Sequence, residues 1–472
     1  MKAETGDWKS GVWFLLAVAF CAGAAMAEDW PRLNGPHTNW LSNDKGLADT
    51  WPKEGPKTVW AVTNLGGGFG SPVVAGGKVF LIGRALDTNA KDRKGNLLPW
   101  YDAKCLPGPD VLTCLDRTDG KVLWTHEFNN VTNATATSWN TPAVYGDVLY
   151  ARGGDGEVRC ISVKDGKQIW AWPKPGEVLF TGKMRHKFGL ASGSGCAASV
   201  VVCDGVLVAM GGSKDGNSVL VGLDSKTGAK LWNTDEFGDW QFGDRNHVVL
   251  NLSGKNVVLT HYMVLDVKTG AKVGSYTSPN FGFHSEWCST FEGNRYYAAV
   301  SRSQLATNDT HYTKGHGQGM ECLEFNLTAD GSVTNQSKWQ WFTDFKEPTG
   351  QVMEKGFSGP LLVDGHLYTL LGYKGNANHM ICLDAATGQA TWPAIATPPH
   401  PNFACMAAAD GKIFYLNETG LLVMIAADPA KYRLLGTAQV VGRTLSSLAL
   451  SDGFAFVRDD FGVLKCLDLK AP

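Results

Sequence analysis

The chain has 472 residues, of which 44 % are hydrophobic and 19 % are charged, and its formal net charge is −2 at pH 7. This composition provides enough apolar material for a large core, and the near-neutral charge argues against a nucleic-acid partner. The 56 glycines and 17 tryptophans are typical of many short strands joined by tight turns.

The first residues have the features of an export signal. Lys2 and Lys9 precede the apolar stretch 11–25, and Ala-Met-Ala at 25–27 is a small-x-small cleavage pattern. The stretch is shorter than the roughly 20 residues of a membrane span, and the bulky Phe20 before Cys21 argues against lipid attachment there. We therefore expect residues 1–27 to be a signal peptide, and the mature protein to be exported to the periplasm or the extracellular space.

One phrase recurs from there on: an apolar run, an Asp, a turn with Gly, and a second run that usually ends in Trp. Glycine supplies the positive φ that the turn requires, and the flanking β-branched residues suit strands, so each copy predicts a hairpin. The copies are VLTCLDRTDGKVLW (111–124), CISVKDGKQIW (160–170), GLDSKTGAKLW (222–232), VLDVKTGAKVG (264–274), the broken CLEFNLTADGS (322–332), CLDAATGQATW (382–392) and the truncated CLDLKAP (466–472).

A second hairpin precedes each copy of the phrase or its degenerate equivalent. The series is SPVVAGGKVFLIG (71–83), TPAVYGDVLYARG (141–153), SVVVCDGVLVAMG (199–211), NLSGKNVVLT (251–260), STFEGNRYYAAV (289–300), GPLLVDGHLYTLLG (359–372), CMAAADGKIFYL (405–416) and SLALSDGFAFV (447–457). Two hairpins make a four-stranded antiparallel unit, and eight such units in tandem predict an all-β fold, an eight-bladed β-propeller.

The two ends of the chain complement each other. The last unit stops before its fourth strand, and the segment 56–60 (PKTVW) matches the missing half of the phrase. We therefore expect the N-terminal segment to complete the last blade and to close the ring, which removes free sheet edges. The predicted organisation is a leader at 28–55 followed by one propeller domain at 56–472, and we expect a monomer.

Two sets of small residues recur at equivalent positions. The first opens the phrase and predicts buried apolar cysteines that do not pair with one another: Cys114, Cys160, Cys322, Cys382 and Cys466. The second opens the first strand of each unit, where strands crowd around a propeller axis: Ser71, Thr141, Ser199, Cys288, Gly359, Cys405 and Ser447.

The phrase resembles the tryptophan-docking motif of the quinoprotein-type β-propellers, the pyrroloquinoline quinone (PQQ)-like superfamily, which runs small-x-Asp-x-x-Thr-Gly-Lys-x-x-Trp. The copy at 222–232 matches at Asp224, Thr227, Gly228 and Trp232. The leader DWPRLNGPHTNW (29–40) also resembles the opening segment of exported bacterial members. Because the motif packs neighbouring blades in that family, the resemblance implies a structural role for Trp60, Trp124, Trp170, Trp232 and Trp392.

The superfamily has two branches with different functions, and the resemblance implies that this protein has one of these two functions. One branch oxidises alcohols or sugars in the periplasm with PQQ and Ca²⁺, and its enzymes stack the quinone on a disulfide between adjacent cysteines; this chain has no Cys-Cys pair. The other branch is non-catalytic and includes the assembly lipoprotein of the outer-membrane β-barrel insertion machinery. We expect a non-catalytic binding or scaffold module without a cofactor, for a protein or carbohydrate partner. The alternative is a PQQ-dependent dehydrogenase.

Extra chain length gathers in connections that a four-stranded blade places on one face, at 84–110, 172–195, 233–247, 277–287, 302–319 and 393–403. Loops on a rigid scaffold are common binding sites, although long surface loops also simply hold polar residues. The candidate ligand-binding or partner-binding residues there are Arg185, His186, Trp240, Arg245, His247, His284 and Trp287. In the dehydrogenase alternative, Arg185 or Arg245 would bind the quinone carboxylates and Asp244 would be the base. No set of metal ligands is predicted.

Overall fold

The computed structural model describes residues 28–85, 108–128, 140–153, 157–173, 199–212, 218–235, 247–260, 263–276, 283–301, 318–342, 359–371, 379–398 and 404–471. Their regular elements are strands, arranged in eight four-stranded antiparallel sheets. The first strands of neighbouring blades contact one another around the axis, as between blades 8, 1 and 2. The predicted eight-bladed β-propeller is confirmed.

The strands follow the chain in blade order, after β1 (Lys57–Val62). Blade 1 contains β2 (Val73–Ala75), β3 (Lys78–Gly83), β4 (Val111–Asp116) and β5 (Val122–Glu127). Blade 2 contains β6 (Ala143–Tyr145), β7 (Val148–Arg152), β8 (Val158–Ser162) and β9 (Gln168–Trp172). Blade 3 contains β10 (Val201–Cys203), β11 (Val206–Gly212), β12 (Ser218–Asp224) and β13 (Lys230–Asn233). Blade 4 contains β14 (Val248–Leu252), β15 (Lys255–Thr260), β16 (Met263–Asp266) and β17 (Lys272–Ser275).

The second half of the ring continues the same pattern. Blade 5 contains β18 (Phe283–Glu292), β19 (Arg295–Ser301), β20 (Gln318–Leu327) and β21 (Val333–Phe342). Blade 6 contains β22 (Leu361–Val363), β23 (His366–Leu371), β24 (His379–Asp384) and β25 (Ala390–Ala396). Blade 7 contains β26 (Ala404–Ala409), β27 (Lys412–Asn417), β28 (Leu421–Ala426) and β29 (Leu434–Gln439). Blade 8 contains β30 (Ala449–Ser451), β31 (Phe454–Arg458) and β32 (Leu464–Asp468), and its fourth strand is β1.

The N-terminal segment closes the ring, as predicted. Strand β1 pairs with β32 in a ladder that runs from Lys57 opposite Asp468 to Val62 opposite Leu464. The ladder makes Trp60 the outer aromatic residue of blade 8, and its ring lies 6.0 Å from that of Phe456. The two ends of the chain therefore share one sheet, and the last blade cannot form without the first strand.

The repeated tryptophans join neighbouring blades. In each case the indole N–H donates a hydrogen bond to a backbone carbonyl of the next blade, as from Trp60 to Arg117 at 2.9 Å and from Trp170 to Ser225 at 3.1 Å. For all of these tryptophans except Trp392, the turn glycine of the next blade packs directly on the indole, which leaves no room for a side chain. The remaining donor and acceptor pairs are Trp124 with Val163, Trp232 with Val267, Trp339 with Ala385 and Trp392 with Asp428.

Trp339 was missed in the sequence analysis, because the ten-residue strands β20 and β21 lengthen the broken fifth copy of the phrase. In blade 4, Gly274 occupies the tryptophan position. There Tyr276, two residues later, is buried against the rings of Tyr296 and Phe325 in blade 5. A different aromatic residue thus packs between blades where the repeat lacks its tryptophan.

In blade 7, the leader supplies the tryptophan at the docking position. Gly436 stands at the docking position opposite Met424. The ring of Trp51 packs over Gly436 and stacks on Phe414 with 6.2 Å between centroids. Docking tryptophans of other blades lie at a similar distance from an aromatic ring of their own second strand, as Trp124 does from Phe80 with 5.8 Å between centroids. The N-terminal segment therefore supplies the aromatic residue of both of the last two blades.

The leader also binds blades 7, 8, 1 and 2 near the face formed by the hairpin turns, which we call the turn face. Trp30 exchanges two backbone hydrogen bonds with Val74 in the first strand of blade 1. The amide of Val144 in blade 2 donates to Pro31, and Ala408 in blade 7 exchanges hydrogen bonds with Trp40 and Ser42. In blade 8, the carboxylate of Asp44 accepts from the amides of Asp452 and Gly453. Trp30 and Trp40 are both buried.

A side chain continues this pattern into blade 3. The amide of Val202 occupies the ladder position of Val74 and Val144. It donates to the hydroxyl of Tyr145 at 3.0 Å. The guanidinium of Arg32 in the leader lies 4.7 Å from the centre of the Tyr145 ring. The leader therefore influences the first strand of blade 3 through one tyrosine.

The five phrase cysteines are buried and free, as predicted. Burial raises the pKa of Cys114 and Cys322 to about 12, so these thiols remain protonated and unreactive. Among the described residues no helix is long and apolar enough to cross a bilayer. The predicted signal peptide at 1–27 lies outside the described residues.

Packing of a turn glycine on a tryptophan can be separated from backbone strain within blade 1. Gly120 and Gly77 have nearly the same φ, +74° and +73°, but a Cβ at Gly120 would lie 2.7 Å from the Trp60 ring, whereas one at Gly77 would contact nothing. We expect Gly120→Ala to lower the free energy of unfolding by about 1–3 kcal/mol more than Gly77→Ala does, because the added methyl overpacks the joint between blades. Urea denaturation measures both variants, and equal losses would show that the indole contact is unimportant.

Candidate functional site

The strand order puts the long connections at the end of the ring opposite the turn face. In every blade the second-to-third-strand connection and the link to the next blade leave from this end, which we call the long-loop face. The links include the chain between β9 and β10 and the chain between β19 and β20. The described residues of this face lie mainly in blades 7, 8, 1 and 2.

Most of the predicted site residues lie outside the described part of the chain. Arg185, His186, Trp240, Asp244 and Arg245 all fall there. The structure places His284 and Trp287 in β18 rather than in a connection, because blade 5 has longer strands than the hairpin pattern indicated, and their side chains are not described. Whether these residues meet in one site stays a prediction.

His247 is described, and it is buried instead of exposed on a surface loop. Its Nδ1 lies 3.2 Å from the hydroxyl oxygen of Thr260, and its Nε2 has no hydrogen-bond partner. Burial, and secondarily the charge of Arg152, lowers the pKa of His247 to about 4. The imidazole is therefore neutral at physiological pH.

A buried arginine that the sequence analysis did not single out links the last blade to the first. Arg458, at the end of β31, is fully buried and donates to the carbonyls of Gly66, Gly70 and Ile82 at 2.8–3.2 Å, and to Asp459 at 3.3 Å. Burial lowers its pKa to about 10, which still leaves it charged at neutral pH. The guanidinium acts as a hydrogen-bonded bridge across the closure.

A buried carboxyl group lies beside this arginine. Asp460 accepts from the amide of Leu445 at 2.9 Å and from Nε of Arg443 at 3.3 Å. Burial raises its pKa to about 7, although the Leu445 hydrogen bond and the charges of Arg443 and Arg458 act in the opposite direction. Asp460 therefore titrates close to neutrality.

A second buried ion pair stands where the first long connection begins. Nε of Arg84 donates to the carboxylate of Asp110 at 2.6 Å, and both side chains are almost completely buried. One guanidinium nitrogen of Arg84, Nη2, is buried without a partner. Buried ion pairs contribute little net stability, so this pair serves mainly to fix how the connection leaves β3 and enters β4.

Hydroxyl groups link three blades at the axis. The amide of Ser447 in blade 8 donates to the Ser71 hydroxyl at 2.8 Å, and the amide of Ser71 donates to the Thr141 hydroxyl of blade 2 at 2.9 Å. The sequence analysis explained these positions by small size alone. The structure shows that the hydroxyls also satisfy backbone amides that would otherwise have no acceptor.

The connection between β31 and β32 presents an aromatic side chain on this face. Asp459 holds the turn, because its carboxylate accepts from the amides of Phe461 and Val463. Phe461 is 42 % exposed, and the guanidinium of Arg443 lies 5.3 Å from the centre of its ring. The equivalent turn of blade 7 has the same geometry, with Asn417 as the acceptor, but carries Thr419 in place of the phenylalanine.

These contacts form a hydrogen-bonded rim at the closure of the ring. Arg458 donates its hydrogen bonds to backbone carbonyls, and Asp110 and Asp460 are ion-paired within the protein. The described residues contain no group of three His, Cys, Asp or Glu side chains placed to hold a metal ion. The arrangement is suited to holding Phe461 and Arg443 in fixed positions.

A family model described as the outer membrane protein assembly factor BamB, of the PQQ-like type, matches residues 42–176 and 110–285. Together the two matches extend from 42 to 285, a little over half of the chain. The chain belongs to the PQQ-like β-propeller family. No curated protein sequence matches it.

Solved structures resemble this propeller in fold. The computationally designed protein Ika8 has 12 % identity and a TM-score of 0.54, with coverage of 87 % of this chain and 99 % of that chain. The quinohemoprotein alcohol dehydrogenase from Comamonas testosteroni has 13 % identity and a TM-score of 0.47, with coverage of 94 % and 81 %. BamB from Moraxella catarrhalis has 11 % identity and a TM-score of 0.37, with coverage of 88 % and 99 %. At such identities the likeness concerns the fold alone.

The lowered pKa of His247 makes stability depend on pH. A histidine with a depressed folded-state pKa contributes fully above its unfolded pKa of 6.5, and this contribution is lost as the pH falls towards 4. Relative to His247→Gln, we expect the wild-type protein to lose about 3 kcal/mol of unfolding free energy across that window. Urea denaturation at several pH values measures the free energy of unfolding of both proteins. Because both contain Asp460, its contribution cancels when the two values are subtracted. Parallel curves for the two proteins would contradict a buried neutral imidazole.

Proposed function

We propose that the protein is an exported, non-catalytic binding module that holds a partner protein on its long-loop face. The observation that carries this proposal is the leader, which covers the axis-facing strands of blades 7, 8, 1 and 2 at the turn face. The opposite end of the ring is left as the end at which a partner can approach the axis. The predicted signal peptide supports export.

The exposed Phe461 and the partly exposed Arg443 on that face support a protein partner. Aromatic and arginine side chains in fixed positions dominate the energetics of many protein interfaces. Phe461 is not required by its turn, since blade 7 builds the same turn around Thr419. The description of the matched family model, an outer membrane protein assembly factor, favours a protein over a carbohydrate.

Two observations support a module without PQQ and Ca²⁺. The sequence has no adjacent cysteines on which the quinone could stack. The described arginines at the closure, Arg84 and Arg458, are hydrogen-bonded within the protein. The dehydrogenase alternative depends on Arg185, Asp244 and Arg245, which lie outside the described residues.

Photo-crosslinking tests whether a partner protein binds the long-loop face. We expect a photoreactive amino acid at position 461 of the full exported protein to form a crosslinked product with a partner protein in the cell envelope. The control position is Val59 on the outer strand of blade 8, which is 43 % exposed against 42 % for Phe461. We also expect Phe461→Thr to weaken retention of the crosslinked partner about tenfold, as loss of a hot spot does. Equal crosslinking at both positions would contradict the proposal.

Thermal denaturation with PQQ tests the alternative. A ligand at 100 times its Kd stabilises a protein by about 2.7 kcal/mol, which gives an easily measured rise in Tm. We expect no rise on titration with PQQ, with or without Ca²⁺. A Ca²⁺-dependent rise would overturn the non-catalytic proposal and would justify assays of alcohol and sugar oxidation.

A further inference from the structure

Three polar side chains of the leader meet at one point on the turn face. Nε2 of His37 lies 2.9 Å from Oε1 of Glu28. The side-chain amide nitrogen of Asn43 lies 2.8 Å from the same Oε1 and 3.0 Å from the same Nε2. The three atoms therefore form a nearly equilateral triangle.

Hydrogen bonds cannot satisfy all three sides of this triangle. If Nε2 of His37 carries a proton, it donates to Glu28, but its contact with the Asn43 amide then joins two donors. If Nε2 is unprotonated, it accepts from Asn43, but its contact with Glu28 then joins two acceptors. Either state leaves one repulsive contact of 2.9–3.0 Å.

A cation removes this conflict. The oxygen and nitrogen of an asparagine amide are interchangeable in such an assignment. Rotation of the Asn43 amide would place its oxygen at the triangle, together with the Glu28 oxygen and the unprotonated His37 nitrogen. Three lone-pair donors then face one point, which is a ligand set for a metal ion.

The dimensions agree with octahedral coordination. Bonds of 2.0–2.1 Å at right angles place neighbouring ligand atoms about 2.9 Å apart, whereas tetrahedral angles place them about 3.4 Å apart. The observed sides are 2.8, 2.9 and 3.0 Å. The side chain of His37 is 50 % exposed and that of Glu28 is 19 % exposed, so an ion can enter from solvent and keep water on its free positions.

We propose that Glu28, His37 and Asn43 form a binding site for a first-row divalent transition-metal ion. A mixed imidazole, carboxylate and amide set suits such ions better than it suits Ca²⁺ or Mg²⁺, which take oxygen ligands. The carbonyl of Glu28 accepts from the Ser451 hydroxyl in blade 8, so the ion would anchor the start of the leader next to the closure. The site does not depend on the proposed partner.

The variant Asn43→Asp tests the proposal, because its effect should be unfavourable without metal and favourable with metal. In the wild type, Asn43 donates to Glu28 through its side-chain amide and its backbone amide. The variant replaces the side-chain donor by a carboxylate, so without metal two carboxylates face each other. We expect a lower Tm than wild type in chelator. In Co²⁺ or Ni²⁺ we expect the Tm to be restored, and calorimetry to show binding about tenfold tighter than wild type, because an anionic ligand replaces a neutral one.

His37→Ala should abolish binding in the tag-free exported protein, and His366→Ala is the control, because His366 is a partly exposed histidine that lies in blade 6. Circular dichroism checks that each variant is folded. The proposal is overturned if metal fails to restore the Asn43→Asp variant, or if His37→Ala and His366→Ala bind equally well.

Discussion

Closure of the ring is the constraint on which the rest of this structure depends. A propeller avoids free sheet edges only if its last blade meets its first. Here the N-terminal segment makes that connection at two radii, through Trp30 against Val74 at the axis and β1 against β32 at the rim. Arg458 of blade 8 adds a third link at the long-loop face, where it donates to the carbonyls of Gly70, just before blade 1, and of Ile82 in β3.

Packing between blades explains both what could be predicted from the sequence and what could not. The repeated phrase predicted the blades, their number and the closing strand, because each tryptophan and turn glycine recurs at fixed spacing. Tyr276 packs between blades from outside the phrase, and Trp339 does so after an insertion. Trp51 comes from the leader and packs on the docking position of blade 7. No spacing within the sequence indicates them, because their positions follow from which blades become neighbours.

The candidate site was predicted less completely, for a related reason. Loop histidines and arginines can be counted from the sequence, but their environment depends on how several connections pack. His247 was expected at a surface and is buried. Arg84 directly follows β3 and Arg458 ends β31, and nothing in the sequence around them indicates that both are buried. The equivalent turns of blades 7 and 8 show the same limit. That Phe461 replaces Thr419 becomes apparent only when the structure shows that the two turns share one geometry.

Burial acts on His247 and Asp460 with opposite consequences for the long-loop face. It keeps the imidazole neutral down to about pH 4, so acidification from pH 7 adds no charge there. It lets the carboxyl group of Asp460 take up a proton near pH 7, which leaves Arg443 and Arg458 without that counter-charge below neutrality. A group with a raised folded-state pKa stabilises the fold most below its unfolded pKa, whereas His247 stabilises it most above 6.5. The two effects oppose each other between pH 4 and 7, so the rim becomes more positive on acidification while the stability of the fold changes less than either group alone would cause.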